Sequence, residues 1–337
     1  MPPTYEAILD RGLVPDWVIR RGIRKLLAKR LALEARRDAA AWRDEIRRSP
    51  LAIHTRDANE QHYELPSEFF LKVLGPHLKY SSAFYTTGKE SLAEAEEAML
   101  RLSCERARLH DGDSILELGC GWGSLSLFMA HWCPNSRIVA MSNSQTQKEF
   151  IDAQAQRRGI ENLEVRTADM LSFAPGEQFQ RIVSVEMFEH MRNYEELLRR
   201  VASWLKPEGT LFVHIFTHKQ FAYPFETDGQ DDWMAKYFFS GGQMPSEDLL
   251  VDFRGELALV DKWAIHGRHY ARTCEDWLKN MDANRESIRG LFRKCYGEGE
   301  ETKWITRWRV FFMACAELFA YDEGRQWGVT HYLFQKP

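Results

Sequence analysis

The stretch ILELGCGWGSLSL, Ile115 to Leu127, constrains the chain most, because an apolar run enters a turn with glycine at 119, 121 and 123 and leaves it as a helix-forming run. Glycine tolerates the left-handed dihedrals of such a turn and lets the backbone approach a ligand where a Cβ would block it. Glu117 stands two residues before the first glycine. A carboxylate at a strand end, beside the free amides of a helix N-terminus, suits a ligand carrying both an ammonium and a carboxylate. The spacing G-C-G-W-G is not the G-x-G-x-x-G that seats a dinucleotide pyrophosphate. Read alone, the motif leaves two readings open: a cradle for a nucleotide-type ligand, and a structural strand-to-helix turn.

Around this turn, short apolar runs recur at Ile115 to Leu118, Arg137 to Met141, Leu163 to Arg166, Arg181 to Val185 and Thr210 to Ile215, with helical patterns between most of them. That alternation predicts an α/β fold with a mainly parallel sheet. After His218 the order changes to an aromatic, acidic stretch (Phe221 to Tyr237), a strand near Leu257 to Ala264, long helices through Tyr321 and a closing strand, Gly328 to Phe334. Material inserted between the last strands lies beside the carboxyl ends of the earlier ones, where open α/β sheets bind ligands. Residues 219–250 and 271–323 are therefore expected to form substrate-cover helices.

At the other end, Asp16 to Arg48 sets Val18, Ile19, Ile23, Leu26, Leu27 and Leu31 against Arg20, Arg24, Lys25 and Arg30 at helical spacing. This predicts an amphipathic basic helix within a helical N-terminal extension, residues 1–63, ahead of the main domain, 64–337. Such a face either packs over the core or touches anionic membrane.

The net charge of −4 gives no electrostatic footprint for nucleic acid. Cys104, Cys120, Cys133, Cys274, Cys295 and Cys315 form no C-x-x-C pair, so neither a metal site nor a disulfide framework is expected. The start MPPTYEAILDRGLVPDW has no signal-peptide pattern and no long uncharged apolar run follows, so a soluble, cytoplasmic protein is expected.

The segments YSSAFY, ELGCGWG, SNSQTQKEF, SVEMFEHMRNYE, LKPEGTLFVH, DDWMAKYFF and HYARTCEDWLKNMDAN occur in one order along residues 60 to 337. In that order they resemble class I methyltransferases, and more narrowly the family of cyclopropane fatty acid synthases, mycolic acid cyclopropane synthases and plant coclaurine N-methyltransferases. The resemblance implies a Rossmann-like, mainly parallel seven-stranded sheet and S-adenosylmethionine as cofactor, with S-adenosylhomocysteine as product. By position it sets Tyr80 and Ser81 at the methionine end, with Glu117 beside the turn Gly119, Gly121, Trp122 and Gly123. It sets Ser142, Asn143 and Gln147 at the ribose, and Ala168, Asp169 and Met170 around adenine.

Two departures bear on the branch. The lipid enzymes resemble Y-S-C-A-Y-W where this chain has Tyr80-Ser81-Ser82-Ala83-Phe84-Tyr85, and they commonly carry glycine where Glu186 stands. A carboxylate makes little sense beside a lipid alkene but can hold a protonated amine. Glu186, Glu189 and His190 match the acidic-histidine cluster of the coclaurine enzymes, which implies Glu186 and Glu189 as amine anchors and His190 as base or orienter. The alternative is that Glu189-His190 only caps the following helix or hydrogen-bonds the loop. Tyr85, His214, Phe221, Tyr223, Trp233, Tyr237 and Tyr270 are the expected substrate-pocket residues. His214 and Tyr270 correspond to positions near the bicarbonate site of the lipid branch.

The leading expectation is an N-methyltransferase acting on a small, aromatic-bearing amine of isoquinoline or phenethyl type. A cyclopropane-synthase-like lipid methyl(ene) transferase is the alternative, and a cofactor-binding protein without catalysis is a third. The expected partner is a small-molecule amine, with no nucleic acid and no stable membrane insertion; a homodimer is compatible with the sequence.

Overall fold

The glycine-rich turn lies at the carboxyl edge of the inner strands of a seven-stranded sheet, in a computed structural model that describes residues 5–53, 65–225, 238 and 241–337. The elements run α1 (Tyr5–Leu9), α2 (Asp16–Glu34), α3 (Ala39–Arg48), α4 (Ser67–Val73), α5 (Leu92–Arg106), β1 (Ser114–Leu118), α6 (Ser124–Trp132), β2 (Arg137–Ser142), α7 (Gln145–Arg158), β3 (Leu163–Thr167) and β4 (Phe179–Val185). They continue with α8 (Tyr194–Trp204), β5 (Leu205–His218), β6 (Tyr223–Pro224), β7 (Gln243–Met244), α9 (Leu249–Asp252), β8 (Ala258–Ile265), α10 (Gly267–Ala283), α11 (Arg285–Tyr296), α12 (Glu301–Ala320) and β9 (Trp327–Gln335).

The strand order is β3-β2-β1-β4-β5-β9-β8. The first five strands pair in parallel, while β9 pairs antiparallel with both β5 and β8. The inner strands are buried on both faces: Leu116, Leu118, Val139, Ile182, Leu211 and Val213 are each fully buried. Continuous apolar runs rather than alternating ones are what a sheet covered on both sides requires. The fold expectation therefore holds, and each strand predicted in the sequence is present with its ends moved by a few residues.

The amphipathic region Asp16 to Arg48 is not one helix. It breaks after Glu34, and Asp38 caps the second piece by accepting from the backbone N–H groups of Ala40 and Ala41. Part of its basic face is paired rather than solvated: Arg20 meets Glu275 at 2.5 Å and Glu317 at 3.1 Å, and Arg309 returns to Asp16 at 2.9 Å. Packing over the C-terminal helices accounts for this side of α2.

The expected cover divides differently in its two parts. Residues 271–323 are largely helical, carried by α10, α11 and α12. Within 219–250 the described residues form the ribbon β6–β7 and the start of α9, while 226–237, 239 and 240 lie outside the described residues. Trp277, Trp308, Phe311, Phe312 and Phe319 are buried in the cluster that joins these helices to α2 and α4, where large rings stabilise by area removed from water.

Candidate active site

A cavity opens where β1, β2 and β4 end. Glu117, Gly119, Gly121, Trp122, Ser142, Asn143, Gln147, Asp169, Met170, Tyr80, Ser81, Glu186 and His190 all line it. Residues from segments more than a hundred positions apart in the sequence thus meet at one opening, on the sheet edge where the strand order makes a ligand crevice.

The three glycines of the turn do different jobs. All have positive φ, +78° at Gly119, +51° at Gly121 and +78° at Gly123. A Cβ on Gly119 would stand 2.7 Å from Met187, and one on Gly123 would stand 2.7 Å from Ile151, so these two are required by packing. Gly121 faces open space, with nothing within 4 Å of its Cβ position. Only Gly121 leaves room for a ligand to approach the backbone. Gly123 is the N-cap of α6 and lies off the cavity wall.

Glu117 is 2% exposed and accepts from the Ser126 hydroxyl. Burial pushes its carboxyl up to about 7, so the site favours a compensating cation beside it. Trp122 Nε1 and Ser124 Oγ, both of residues on the same wall, are buried without a hydrogen-bond partner among the described residues. Buried polar groups of this kind are satisfied when a polar ligand is present. Ser142 donates to Gln147 at 2.6 Å, which ties the end of β2 to the first turn of α7. Asp169 accepts from the Leu171 N–H at 2.8 Å and still borders the cavity. Ala168 donates its N–H to the Ser142 carbonyl at 2.8 Å and lies behind the wall.

Glu186 follows β4 with φ +47°, a left-handed conformation unusual for a side-chain-bearing residue. Its carboxylate accepts from the Tyr270 hydroxyl at 2.5 Å, from His214 Nε2 at 3.3 Å and from the Ser82 backbone N–H. Burial pushes its carboxyl up to about 7, against these donors and the positive field of Lys79. Lys79 is itself 2% exposed, bonded to Ser81, and drawn down to about 8 by burial. His190 is pushed down to about 4 by burial, opposed by the Glu186 charge. It is therefore neutral at physiological pH and able to accept a proton.

Glu189 does not reach the cavity wall. It is 1% exposed, its Oε2 has no hydrogen-bond partner among the described residues, and burial holds its carboxyl well above the usual carboxylate range. Capping does not explain the pair Glu189-His190, because Asn193 caps α8 through the Glu196 N–H.

None of the described residues expected in the substrate pocket lines this cavity. Tyr85 is 5% exposed and donates to Asp276 at 3.0 Å, away from the cavity. Tyr223 is buried and accepts from Trp327 Nε1 at 3.0 Å. Phe221 stacks on His218 at 4.7 Å. His214 and Tyr270 act on Glu186 instead of lining the opening. Trp233 and Tyr237 lie outside the described residues. Sequence reading missed Lys79, although a lysine set directly before Tyr80-Ser81 in a loop of buried residues is a signal for it. It also missed the Ser82 N–H, which no side-chain pattern announces.

The sequence from residue 52 to 326 matches the family model described as mycolic acid cyclopropane synthetase. The chain belongs to that family. Within the mycolic acid cyclopropane synthetase family it is 39% identical to the (S)-coclaurine N-methyltransferase of Thalictrum flavum subsp. glaucum, over 97% of this chain and 94% of that protein. The cyclopropane-fatty-acyl-phospholipid synthase of Escherichia coli (strain K12) is 29% identical, over 80% of this chain and 66% of that protein. A crystal structure of coclaurine N-methyltransferase bound to N-methylheliamine and S-adenosylhomocysteine superposes with a TM-score of 0.93 at 38% identity, covering 97% of both chains. This member of the family is thus an S-adenosylmethionine-dependent methyltransferase with a class I fold, nearer to the N-methyltransferase branch than to the lipid synthases.

Proposed function

We propose that the acceptor is a small amine bearing an aromatic ring, of isoquinoline or phenethyl type, methylated on nitrogen. The observation that carries this reading is Glu186, a carboxylate fixed by three donors on the wall of the cofactor cavity beside the neutral His190. An ionised carboxylate there draws a protonated amine, through a charge-assisted hydrogen bond. His190 offers a free-base imidazole for the proton that the nitrogen must lose. Glu189, behind the wall with its carboxyl held well above the usual carboxylate range by burial, is the second acid of the cluster and brings no full negative charge to the spot at neutral pH.

S-adenosylmethionine, when bound, supplies an electrophilic methyl group on a sulfonium. Glu117 and the backbone at Gly121 would hold its amino-acid end with Tyr80, Ser81 and Trp122. Ser142, Asn143 and Gln147 would hold the ribose, and Asp169 and Met170 the adenine. Alignment of nitrogen with the methyl group supplies most of the rate, since the displacement needs no covalent intermediate on the protein.

Similarity to the N-methyltransferases above supports an amine, and Glu186 itself speaks against the lipid alternative. It already takes the Tyr270 hydroxyl and His214 Nε2, so a bound bicarbonate would compete with a carboxylate for both donors. The test is transfer of labelled methyl from S-adenosylmethionine to two panels, isoquinoline and phenethyl amines and unsaturated phospholipids. Transfer to an amine, lost in Glu186→Ala, is expected; transfer to lipid alone overturns the proposal.

A further inference from the structure

We infer that Arg106 is a positioning residue that holds Glu186 as a hydrogen-bond acceptor through two hydrogen-bonded histidines, His331 and His214. The four residues form an unbroken chain across the sheet. Arg106 Nη1 lies 2.9 Å from His331 Nδ1, His331 Nε2 lies 2.8 Å from His214 Nδ1, and His214 Nε2 lies 3.3 Å from Glu186 Oε1. The sheet builds this chain, because His214 on β5 pairs with His331 on β9, and His331 pairs with Trp263 on β8. Arg106, the last residue of α5, stacks on that Trp263 ring at 4.8 Å.

The direction of the chain follows from its outer end. A guanidinium only donates, so His331 Nδ1 must accept and its proton sits on Nε2. That proton points at His214 Nδ1, which must accept in turn, leaving His214 Nε2 as the donor to Glu186. Both rings are fully buried and held neutral by desolvation, so neither ring carries a second proton that would break the sequence. The same direction closes the chain to outward proton conduction. A proton leaving Glu186 would need His214 Nε2 as acceptor, and its exit at His331 Nδ1 meets a cation. The chain is therefore a tautomer lock, and a proton taken from substrate leaves on the cavity side.

The other groups facing Glu186 are Tyr270 and Cys274 from α10, Lys79 and the Ser82 N–H from the loop before α5, and Glu189 and His190 from the turn after β4. None of them sets the tautomer of His214. The role of the lock in turnover rests on the proposed function, whereas its tautomers do not.

The test has two parts. In histidine-15N-labelled protein, long-range 1H–15N correlations should show both His214 and His331 as neutral Nε2–H tautomers, and Arg106→Leu should release His331 to the other tautomer. In the same variant the acid limb of kcat/KM for the amine should move to higher pH, since the anion of Glu186 has lost an oriented donor. A limb moved by one pH unit lowers kcat/KM about tenfold below it, with the high-pH plateau and the S-adenosylhomocysteine Kd unchanged. A merely structural arginine would lower the melting temperature without moving the limb. An Nδ1–H tautomer at either ring, or an unmoved limb in a folded variant, overturns the inference. If no amine is methylated, the tautomer measurement alone decides it.

Discussion

Glu186 and His214 grip each other at two points: the Glu186 N–H donates to the His214 carbonyl at 2.9 Å, and His214 Nε2 reaches back to the Glu186 carboxylate at 3.3 Å. The backbone bond holds the chain in its left-handed turn, and the side-chain bond aims the carboxylate. Strained dihedrals persist only where surrounding contacts over-determine them, and here one residue supplies both contacts. The precision of the site therefore comes from the strand pair β4–β5 rather than from the turn that carries the cluster.

Glu186→Gln should retain the fold and the cofactor site while losing the amine. Gln keeps one acceptor oxygen for the His214 Nε2–H and can turn its NH2 to the Tyr270 hydroxyl oxygen, but it offers no charge for an ammonium. A hydrogen bond to a charged group contributes about 1.5–3 kcal/mol, so kcat/KM for the amine should fall roughly 10- to 100-fold. The Kd for S-adenosylhomocysteine, measured by calorimetry, should stay at the wild-type value. An unchanged kcat/KM would remove Glu186 from the reaction.

The pH profile should carry the signature of the same carboxylate. Glu186 is pushed up to about 7 by burial and His190 down to about 4. Across pH 6 to 8 the histidine is already neutral, so it is the carboxyl that changes state. As pH rises through about 7, Glu186 ionises and kcat/KM should rise with it. Stopped-time assays at saturating cofactor check this, and a profile that still rises through 7 in Glu186→Gln would assign the limb to another group.

Much of this was legible in the sequence because it is local. The strand-turn-helix at Ile115 to Leu127 and the cluster Glu186-Met187-Phe188-Glu189-His190 carry their chemistry within a few residues. The His214–His331 contact could not be read, since it depends on the antiparallel register of strands whose partners stand 117 positions apart. Tyr85 and Tyr223 looked like pocket aromatics because they sit in loops near cofactor segments. Their hydroxyls instead find partners in Asp276 and Trp327, which buried phenols require. Likewise the break at Glu34 was hidden because helical spacing continues through it, and only the Asp38 cap marks the new start.

Gly121 and a control glycine separate ligand space from backbone strain. Gly121 at φ +51° and Gly159 at φ +65° both face open space, but only Gly121 lines the cavity. A side chain in a left-handed conformation costs about 1–2 kcal/mol, so Gly121→Val and Gly159→Val should melt at similarly lowered temperatures. Gly159→Val should bind S-adenosylhomocysteine normally, whereas Gly121→Val should show no measurable binding. Equal affinities in the two variants would mean that the turn at Gly121 is structural only.

Glu117→Gln should move stability and affinity in opposite directions. The Glu117 carboxyl lies within the protein with the Ser126 hydroxyl as its donor, and burial raises it from 4.5 to about 7. Between those values the folded chain holds a proton that the unfolded chain has released, so its contribution to stability is present below 4.5 and lost as pH rises through 7. At pH 8 the ionised, uncompensated carboxylate costs about 3 kcal/mol in the ligand-free protein, and Gln removes that cost. The free variant should accordingly melt above the wild type at pH 8 and close to it at pH 5. With S-adenosylhomocysteine the order should reverse, because the ligand's ammonium compensates the carboxylate and has no such partner in the variant. Calorimetric titration at pH 8 should give a Kd weaker by roughly 10- to 100-fold, the loss expected for a charged hydrogen bond. A variant that binds as tightly as the wild type would show that Glu117 shapes the turn without meeting the ligand.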